Sequence, residues 1–297
     1  MDFLPFLREF FVNERSTTFS LLHSIKYEVM EMTFHIMGGD LRQRYLEAYI
    51  KSKGFTVTSS YLGSTAPPDW QADLLILPLP VTRDQKTLNT PLSKERISLE
   101  TITERFQGKG VFGGILPPFE KAPFKTYDYF TAEEVTLANA VPTVEGALAL
   151  AIANTSFTLW RQPVLVLGGG RIGQLLALRL TALGARVTVA ARRSETLALC
   201  RNLGAEGRFF EDVPYHRFRL IFNTVPAPVL GEEQFKQFAP DTLLMELASA
   251  PFGFDPALAV SHGVSVLNGQ GLPGKYAPET AAAIIGDYIL KEMEHLA

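Results

Sequence analysis

The chain is poor in the groups that crosslink a protein or hold metal ions. It has a single cysteine, Cys200, which excludes an internal disulfide and fits a reducing compartment. Its five histidines show no ligand spacing, so we expect no metal site. No uninterrupted apolar run reaches the ~18 residues of a membrane span. The net charge of −3 favours neither nucleic acid nor an anionic membrane as a partner.

The composition is instead that of a folded protein with a sizeable core. The length of 297 residues suits two domains, and 46% of the residues are hydrophobic. Strand and helix patterns alternate along the chain, which predicts parallel sheets covered by helices. We therefore predict an α/β protein with two Rossmann-like, doubly wound parallel-sheet domains and a cleft between them. The predicted boundaries are an N-terminal extension (1–32), a substrate domain (33–140 with a C-terminal helix, 278–297) and a dinucleotide-binding domain (141–277).

A glycine-rich turn is the most informative motif. The apolar strand 164–167 is followed by three glycines in a G-x-G-x-x-G pattern, an apolar helical pattern and a second strand at 186–190. In this context the pattern is typical of dinucleotide binding, with the phosphates at the helix N-terminus. A glycine turn without a ligand is the alternative. The residues of this turn that we predict to bind the cofactor are Gly168, Gly170, Arg171, Ile172 and Gly173.

The residues that follow the second strand indicate which dinucleotide the domain would bind. NAD sites usually carry Asp or Glu there, to hold the ribose 2′-hydroxyl. This chain has no carboxylate at that point, and its residues are Ala191, Arg192, Arg193 and Ser194. Two guanidinium groups and a hydroxyl suit a 2′-phosphate, so we predict a preference for NADP(H), with NAD(H) possible. The alternative is that both arginines are solvated surface charges and Ser194 caps a helix.

Two further loops follow predicted strands of the same domain. Ligands of open parallel sheets bind at the carboxyl ends of the strands, so we predict that both loops border the nicotinamide. Their residues are Asn223, Thr224, Val225, Pro226, Ala248 and Ser249. Ordinary turns are the alternative for any single one of them.

A proline interrupts the segment that leads into the glycine-rich domain. The capping box at 131–134 predicts the start of one helix. Val141 precedes a proline and should be non-helical, and Pro142 should open a new helix. This arrangement would place Thr143 and Glu145 near the expected cleft.

Seven segments, in order from residue 33 to the C-terminus, resemble the A subunits of the dipicolinate synthases of spore-forming bacteria. They are residues 38–43, 75–78, 141–146, 166–173, 223–226, 247–251 and 271–278. One departure is Phe252, where the family pattern has glycine after L-A-S-x-P, so we expect that loop to differ in shape. The C-terminal half also resembles the dinucleotide domain of alanine dehydrogenases.

The resemblance implies an NAD(P)-dependent oxidoreductase that converts a dihydrodipicolinate-type intermediate of the lysine pathway to dipicolinate for sporulation. It also implies that the partner is a flavoprotein B subunit and that the protein works in the cytoplasm of the mother cell. We further expect a homo-oligomer. The chemistry removes a hydride and a proton from the ring, so the protein must orient the ring and neutralise two carboxylates.

The residue roles that follow from this activity lie in the substrate domain and beside the proline. We predict that Arg42 and the helix N-terminus at Gly39 and Asp40 bind a substrate carboxylate, aided by Thr143. Glu145 would accept a proton or orient the ring nitrogen, and with Thr143 it forms the predicted catalytic pair. The alternatives are a helix-surface charge at Arg42 and a structural cap at Glu145.

Two other functions fit the same residues. The first is another NADP-dependent dehydrogenase of the alanine or shikimate type, although no lysine–aspartate or lysine–histidine pair is evident in the substrate half. The second is a non-catalytic subunit that binds the nucleotide and positions a flavoprotein partner.

Overall fold

The structure is a computed structural model that describes residues 31–293. The chain divides into two compact units. Unit 1 runs up to Thr136 and resumes at Pro278, and unit 2 is Leu137–Ala277. The predicted N-terminal extension lies outside the described residues except for its last two positions, of which Met32 is buried in the core of unit 1.

Strands and helices alternate through both units. The strands are β1 Thr33–Met37, β2 Thr56–Ser60, β3 Leu74–Ile76, β4 Gly110–Gly113, β5 Lys125–Asp128, β6 Pro163–Leu167, β7 Arg186–Ala190, β8 Glu206–Arg208, β9 Leu220–Asn223, β10 Leu243–Glu246 and β11 Ser265–Asn268. The helices are α1 Leu41–Ser52, α2 Leu99–Arg105, α3 Glu133–Ala153, α4 Arg171–Ala182, α5 Ser194–Asn202, α6 Glu232–Phe235, α7 Pro256–Ser261, α8 Leu272–Tyr276 and α9 Pro278–Met293. Two short 3₁₀ turns, Phe210–Asp212 and Tyr215–Arg217, precede β9.

Unit 1 contains a parallel sheet in the order β2-β1-β3-β4-β5. Successive residues of its central strands pack into different cores, because side chains alternate between the faces of a sheet. Leu74 and Ile76 belong to one core and Leu75 to the other. The C-terminal helix α9 packs against α1 and completes the first of these cores. Unit 1 is therefore built from two segments distant in sequence.

Unit 2 contains a parallel sheet in the order β11-β10-β9-β6-β7-β8. The order reverses between β6 and β9, as in the doubly wound dinucleotide-binding fold. Strand β6 is buried on both faces, with Val164 and Val166 in one core and Leu165 and Leu167 in the other. Together the two sheets confirm the predicted class of two parallel-sheet α/β domains.

The predicted helix break at Pro142 is wrong, because α3 continues through this residue as one helix of 21 residues. Proline removes one hydrogen bond from a helix, yet tertiary packing can outweigh that loss. Pro142, Val144 and Ala147 are buried, and the Thr143 hydroxyl donates to the carbonyl of Asn139 at 2.7 Å. Burial and this extra hydrogen bond hold the turn around the proline.

The same helix has the length and apolar character of a membrane span. Its apolar window has a mean hydropathy of 1.5, and 44% of that window is buried within the protein. A helix at the core of a soluble protein has the same properties, so α3 by itself does not indicate a membrane protein.

Strands β5 and β8 were not predicted, because they are short, polar and located at the sheet edges. Their residues, Lys125–Asp128 and Glu206–Arg208, lack the apolar pattern that marks a buried strand. Gly271, with a φ of 68°, takes the cap position of the short helix α8. Ser194 is the first residue of α5, and Arg193 takes the cap position.

Candidate functional site

The glycine turn after β6 has the backbone geometry that dinucleotide binding requires. Gly168 has a φ of 97°, a value that side-chain-bearing residues rarely adopt, and its N–H donates to the carbonyl of Ala190 at 2.8 Å. A Cβ on Gly173 would overlap the carbonyl oxygen of Gly168, so only glycine allows α4 to approach β6 this closely. A Cβ on Gly170 would meet no heavy atom of the described residues within 4 Å. The turn is therefore tight at its first and third glycines and open at its second.

The helix that follows this turn begins without a side-chain cap. The cap residue of α4 is Gly170, which has no side chain to accept from the first N–H groups. In unit 1, by contrast, Asp40 caps α1 with its own carboxylate. Because the N-terminus of a helix carries partial positive charge and N–H donors, α4 suits a phosphate better than α1 does.

The structure brings the predicted cofactor segments of unit 2 to one edge of its sheet. Leu167 pairs in register with Ala190 and with Asn223, and Asn223 pairs with Glu246. The four loops that follow these residues therefore start side by side. Thr224 supports the glycine turn directly, since its N–H and its hydroxyl donate to the carbonyl of Leu167 at 2.9 and 2.8 Å.

A buried carboxylate at this edge was not among the residues predicted from the sequence. Glu246 accepts hydrogen bonds from Asn223 Nδ2 at 2.7 Å, from the N–H of Ala248 at 2.8 Å and from the N–H of Gly253 at 3.0 Å. Burial raises the pKa of Glu246, and these hydrogen bonds act against that rise. Glu246 thus connects the loops after β9 and β10. The available signal was a charged residue at the end of the apolar run Leu243–Glu246.

The two arginines after β7 are exposed and follow the strand end directly. Neither forms an ion pair with a carboxylate anywhere in residues 31–293. Ala191, just before them, is buried, and its N–H donates to the carbonyl of Arg208. The positions predicted to hold a 2′-phosphate are therefore accessible and carry uncompensated positive charge.

The turn before α1 makes internal hydrogen bonds where we predicted substrate contacts. The Arg42 guanidinium is buried, forms two hydrogen bonds of 2.9 Å with the Asp40 carboxylate and donates to the carbonyl of Leu79 at 2.6 Å. The N–H groups of Gly39 and Asp40 donate to the Asn89 carbonyl and to Gln43 Oε1. These contacts are those of a structural cap, and they compete with the predicted binding of a carboxylate by Gly39, Asp40 and Arg42. A buried donor, Gln43 Nε2, has no partner within the described chain.

The two predicted catalytic residues lie in the middle of α3. The Thr143 hydroxyl donates its proton within the helix, to Asn139, rather than outward. Glu145 is exposed and has no hydrogen-bond or ion-pair partner among residues 31–293. Their assignment as a catalytic pair stays a prediction.

Comparisons with known proteins agree with this architecture. Residues 33–132 match the family model of the N-terminal domain of the dipicolinate synthase A subunit. A curated relative, the A subunit of dipicolinate synthase from Bacillus subtilis (strain 168), is 33% identical over 233 residues, which span 75% of this chain and 78% of the relative.

Solved structures extend the similarity over both units. The crystal structure of the dipicolinate synthase A subunit from Bacillus halodurans has a TM-score of 0.78 and 28% identity, covering 88% of this chain and 97% of that chain. D-lactate dehydrogenase from Escherichia coli has a TM-score of 0.59 at 15% identity, covering 89% and 96% of the two chains, and shares the fold alone. The chain belongs to the family of dipicolinate synthase A subunits.

Proposed function

We propose that this protein is an NADP-dependent oxidoreductase that forms dipicolinate from a dihydrodipicolinate-type precursor. The observation that carries the proposal is the glycine turn of unit 2. It lies where the strand order reverses, and a Cβ at Gly170 would enter open space. Family membership supplies the substrate class, since the relatives are named for dipicolinate synthesis.

The residues of unit 2 fit a dinucleotide. Gly168, Gly170 and the first turn of α4 would hold its pyrophosphate, and Arg192 and Arg193 would hold a 2′-phosphate. When bound, the oxidised nicotinamide supplies a hydride acceptor. The reaction removes one hydride and one proton from the dihydropyridine ring and leaves the aromatic ring of the product. The chain must bind both carboxylates, orient the ring and provide a path for that proton, for which Glu145 is our proposed acceptor.

The first test concerns the choice of cofactor. Arg192→Ala combined with Arg193→Ala should weaken NADP binding by about tenfold or more, because the loss of even one charged hydrogen bond costs roughly 1.5–3 kcal/mol. NAD binding should change little, since NAD has no 2′-phosphate. Fluorescence or calorimetric titration of both nucleotides against the purified chain gives the ratio of the two dissociation constants.

The matched control for this test is Arg201→Ala, which removes an exposed arginine from the last turn of the helix that starts after Arg193. It should leave both dissociation constants within twofold. An NADP/NAD ratio that stays the same in the double variant would contradict the proposed role of the arginine pair.

We also propose that the protein works in the cytoplasm, as a homo-oligomer and with a flavoprotein B subunit. Its relatives are named as one subunit of dipicolinate synthase, which supports a multi-subunit enzyme. Purified chain, precursor and NADP should produce dipicolinate, followed by its pyridine absorbance, together with an equal amount of NADPH. Turnover that appears only after the flavoprotein is added would favour the non-catalytic alternative.

A further inference from the structure

Unit 1 contains a cavity that no predicted site residue lines. Its volume is about 400 Å³, within the range of roughly 300–1,000 Å³ that is usual for small-molecule sites. All of its lining residues belong to the segment between β3 and α2. Its lining combines two arginines with small polar side chains, principally Arg83, Asn89, Thr90, Ser93 and Arg96.

The cavity is joined to the point where the strand order of unit 1 reverses. In the order β2-β1-β3-β4-β5 this point lies between β1 and β3, and ligands of such sheets bind just beyond the carboxyl ends of the strands there. Asn89 of the cavity wall accepts from the N–H of Gly39 after β1 at 2.8 Å. Its Nδ2 donates to the carbonyl of Pro80 after β3 at 3.1 Å. One residue of the cavity wall is therefore bound to the loops that follow β1 and β3, the two strands between which a ligand is expected.

The cavity lining carries one net positive charge, from two arginines and one aspartate. Neither Arg83 nor Arg96 has an ion-pair partner in the described part of the chain, and Arg83 Nε lies 3.4 Å from Asn89 Oδ1. The single carboxylate of the lining, Asp84, accepts four hydrogen bonds within its own turn, from Thr87 N–H and Oγ1, Lys86 N–H and Thr82 Oγ1. These bonds, led by those from Thr87, hold the pKa of Asp84 well below its usual range, so Asp84 stays ionised and its oxygens are occupied by donors of its own turn.

We infer that Arg83 and Arg96 bind the two carboxylates of the dicarboxylate substrate. The inference rests on the proposed function and adds to it the residues that recognise the substrate. A guanidinium group offers paired N–H donors that match a carboxylate, so two of them suit a small diacid better than a monoacid. Asn89, Thr90 and Ser93 add polar side chains to the lining. Arg42 is less available to a ligand, since its Nε and Nη2 already bind Asp40 and Leu79.

Calorimetric titration of dipicolinate into the full chain, saturated with NADP, tests this inference. Arg83→Gln and Arg96→Gln should each weaken dipicolinate binding about 10-fold to 100-fold, the loss expected for a charge-assisted contact. Arg83→Lys and Arg96→Lys should give smaller losses, because lysine keeps the charge without the paired donors. The affinity for NADP should stay within twofold in all of these variants.

Lys94→Gln is the matched control, because it removes one positive charge from the same segment at a residue that does not line the cavity. It should leave dipicolinate binding unchanged. If a glutamine variant also loses NADP binding, its folding is impaired. The lysine variant at the same position then shows whether that arginine binds dipicolinate. Dipicolinate binding that survives both arginine substitutions overturns the inference while leaving the proposed function intact.

Binding experiments with the wild-type chain distinguish a failure of the proposed function from a failure of the proposed dicarboxylate site. Suppose that it fails to bind dipicolinate but binds a straight-chain dicarboxylate, from malonate to pimelate, in a way that depends on Arg83. The proposed function then fails and the dicarboxylate site stands. If no dicarboxylate binds at all, the arginine site is overturned as well.

Discussion

At the scale of single residues, Phe252 has a backbone conformation that is usual for glycine but not for phenylalanine. The resemblance led us to expect glycine at this position, and the structure gives Phe252 a φ of 67°. This left-handed conformation costs a residue with a Cβ roughly 1–2 kcal/mol. The loop thus keeps a backbone shape that glycine favours while carrying a half-buried phenyl ring.

We predict that Phe252→Gly is more stable than Phe252→Ala by about 1 kcal/mol. Both variants lose the ring, but only glycine adopts the left-handed backbone conformation without a steric penalty. Urea unfolding of the two variants under the same conditions measures the difference. Equal midpoints, or a more stable alanine variant, would show that the backbone at this position relaxes.

His35 is the second informative residue, a fully buried side chain on β1. Its ring nitrogens form hydrogen bonds of 2.8 Å with Thr58 Oγ1 and Ser60 Oγ. Burial lowers the pKa of His35 from 6.5 to about 4. The unfolded chain therefore takes up a proton at this histidine between pH 6.5 and pH 4, where the folded chain does not.

This difference predicts a loss of stability on acidification. The stabilising contribution is complete above pH 6.5 and falls as the pH drops towards 4, by about 2 kcal/mol between pH 7.5 and pH 5.0. Urea unfolding at these two pH values measures the loss. His35→Asn should reduce it, and an equally steep loss in that variant would assign the pH dependence to other groups.

At the scale of elements, the glycine turn separates folding from binding. A Cβ at Gly173 would overlap the carbonyl of Gly168, whereas one at Gly170 would meet open space. The first substitution acts on the packing of α4 against β6. The second should affect only the binding of a ligand at the turn.

Gly170→Ala should therefore leave the free energy of unfolding within about 1 kcal/mol of the wild type, since Gly170 is a helix cap residue with no tertiary contact at its Cβ position. Its affinity for NADP should nevertheless fall, because the added methyl group occupies the path of the pyrophosphate. Gly173→Ala should lower both quantities. Thermal unfolding and NADP titration measure the two effects, and full NADP binding by Gly170→Ala would argue against a nucleotide at this turn.

Elements with a strong apolar pattern were predictable, and elements stabilised by their surroundings were not. The buried strands β1, β6 and β7 and the helix starting at Arg171 follow from their own residues. Strands β5 and β8 exist because neighbouring strands offer free edges to polar segments. Likewise α3 continues through Pro142 because burial outweighs one lost hydrogen bond, which is a property of the packing rather than of the local sequence.

At the scale of the whole molecule, the chain leaves unit 1, forms unit 2 and returns to finish unit 1. The returning helix α9 places Ile285 and Ile289 in the core that contains Leu46 and Ile50 of α1. The residues that we assign to the cofactor all lie in unit 2, and the arginine cavity lies in unit 1. The two proposed binding sites are thus assigned to different compact units.

We predict that Ile289→Ala destabilises the protein by about 2–5 kcal/mol, the usual cost of such a cavity in a core. The affinity for NADP, measured at a temperature where the protein is folded, should remain within twofold. Leu176→Ala, a matched truncation on α4 in the core of unit 2, should lower both stability and NADP affinity. If Ile289→Ala weakens NADP binding as strongly as Leu176→Ala, NADP binding depends on the packing of unit 1 as well as of unit 2.

The sequence by itself determined the fold class and the glycine turn, because hydrophobic periodicity and glycine spacing act over a few neighbouring residues. It also placed the segments at the carboxyl ends of β6, β7, β9 and β10. Only the tertiary structure decided which charged groups are available to a ligand. Arg42 is occupied by Asp40 and Leu79, Glu246 is buried among three donors, and Arg83 and Arg96 line a cavity without a carboxylate partner in the described chain. The physical reason is that the state of a charge depends on neighbours from distant parts of the chain, which no local pattern records.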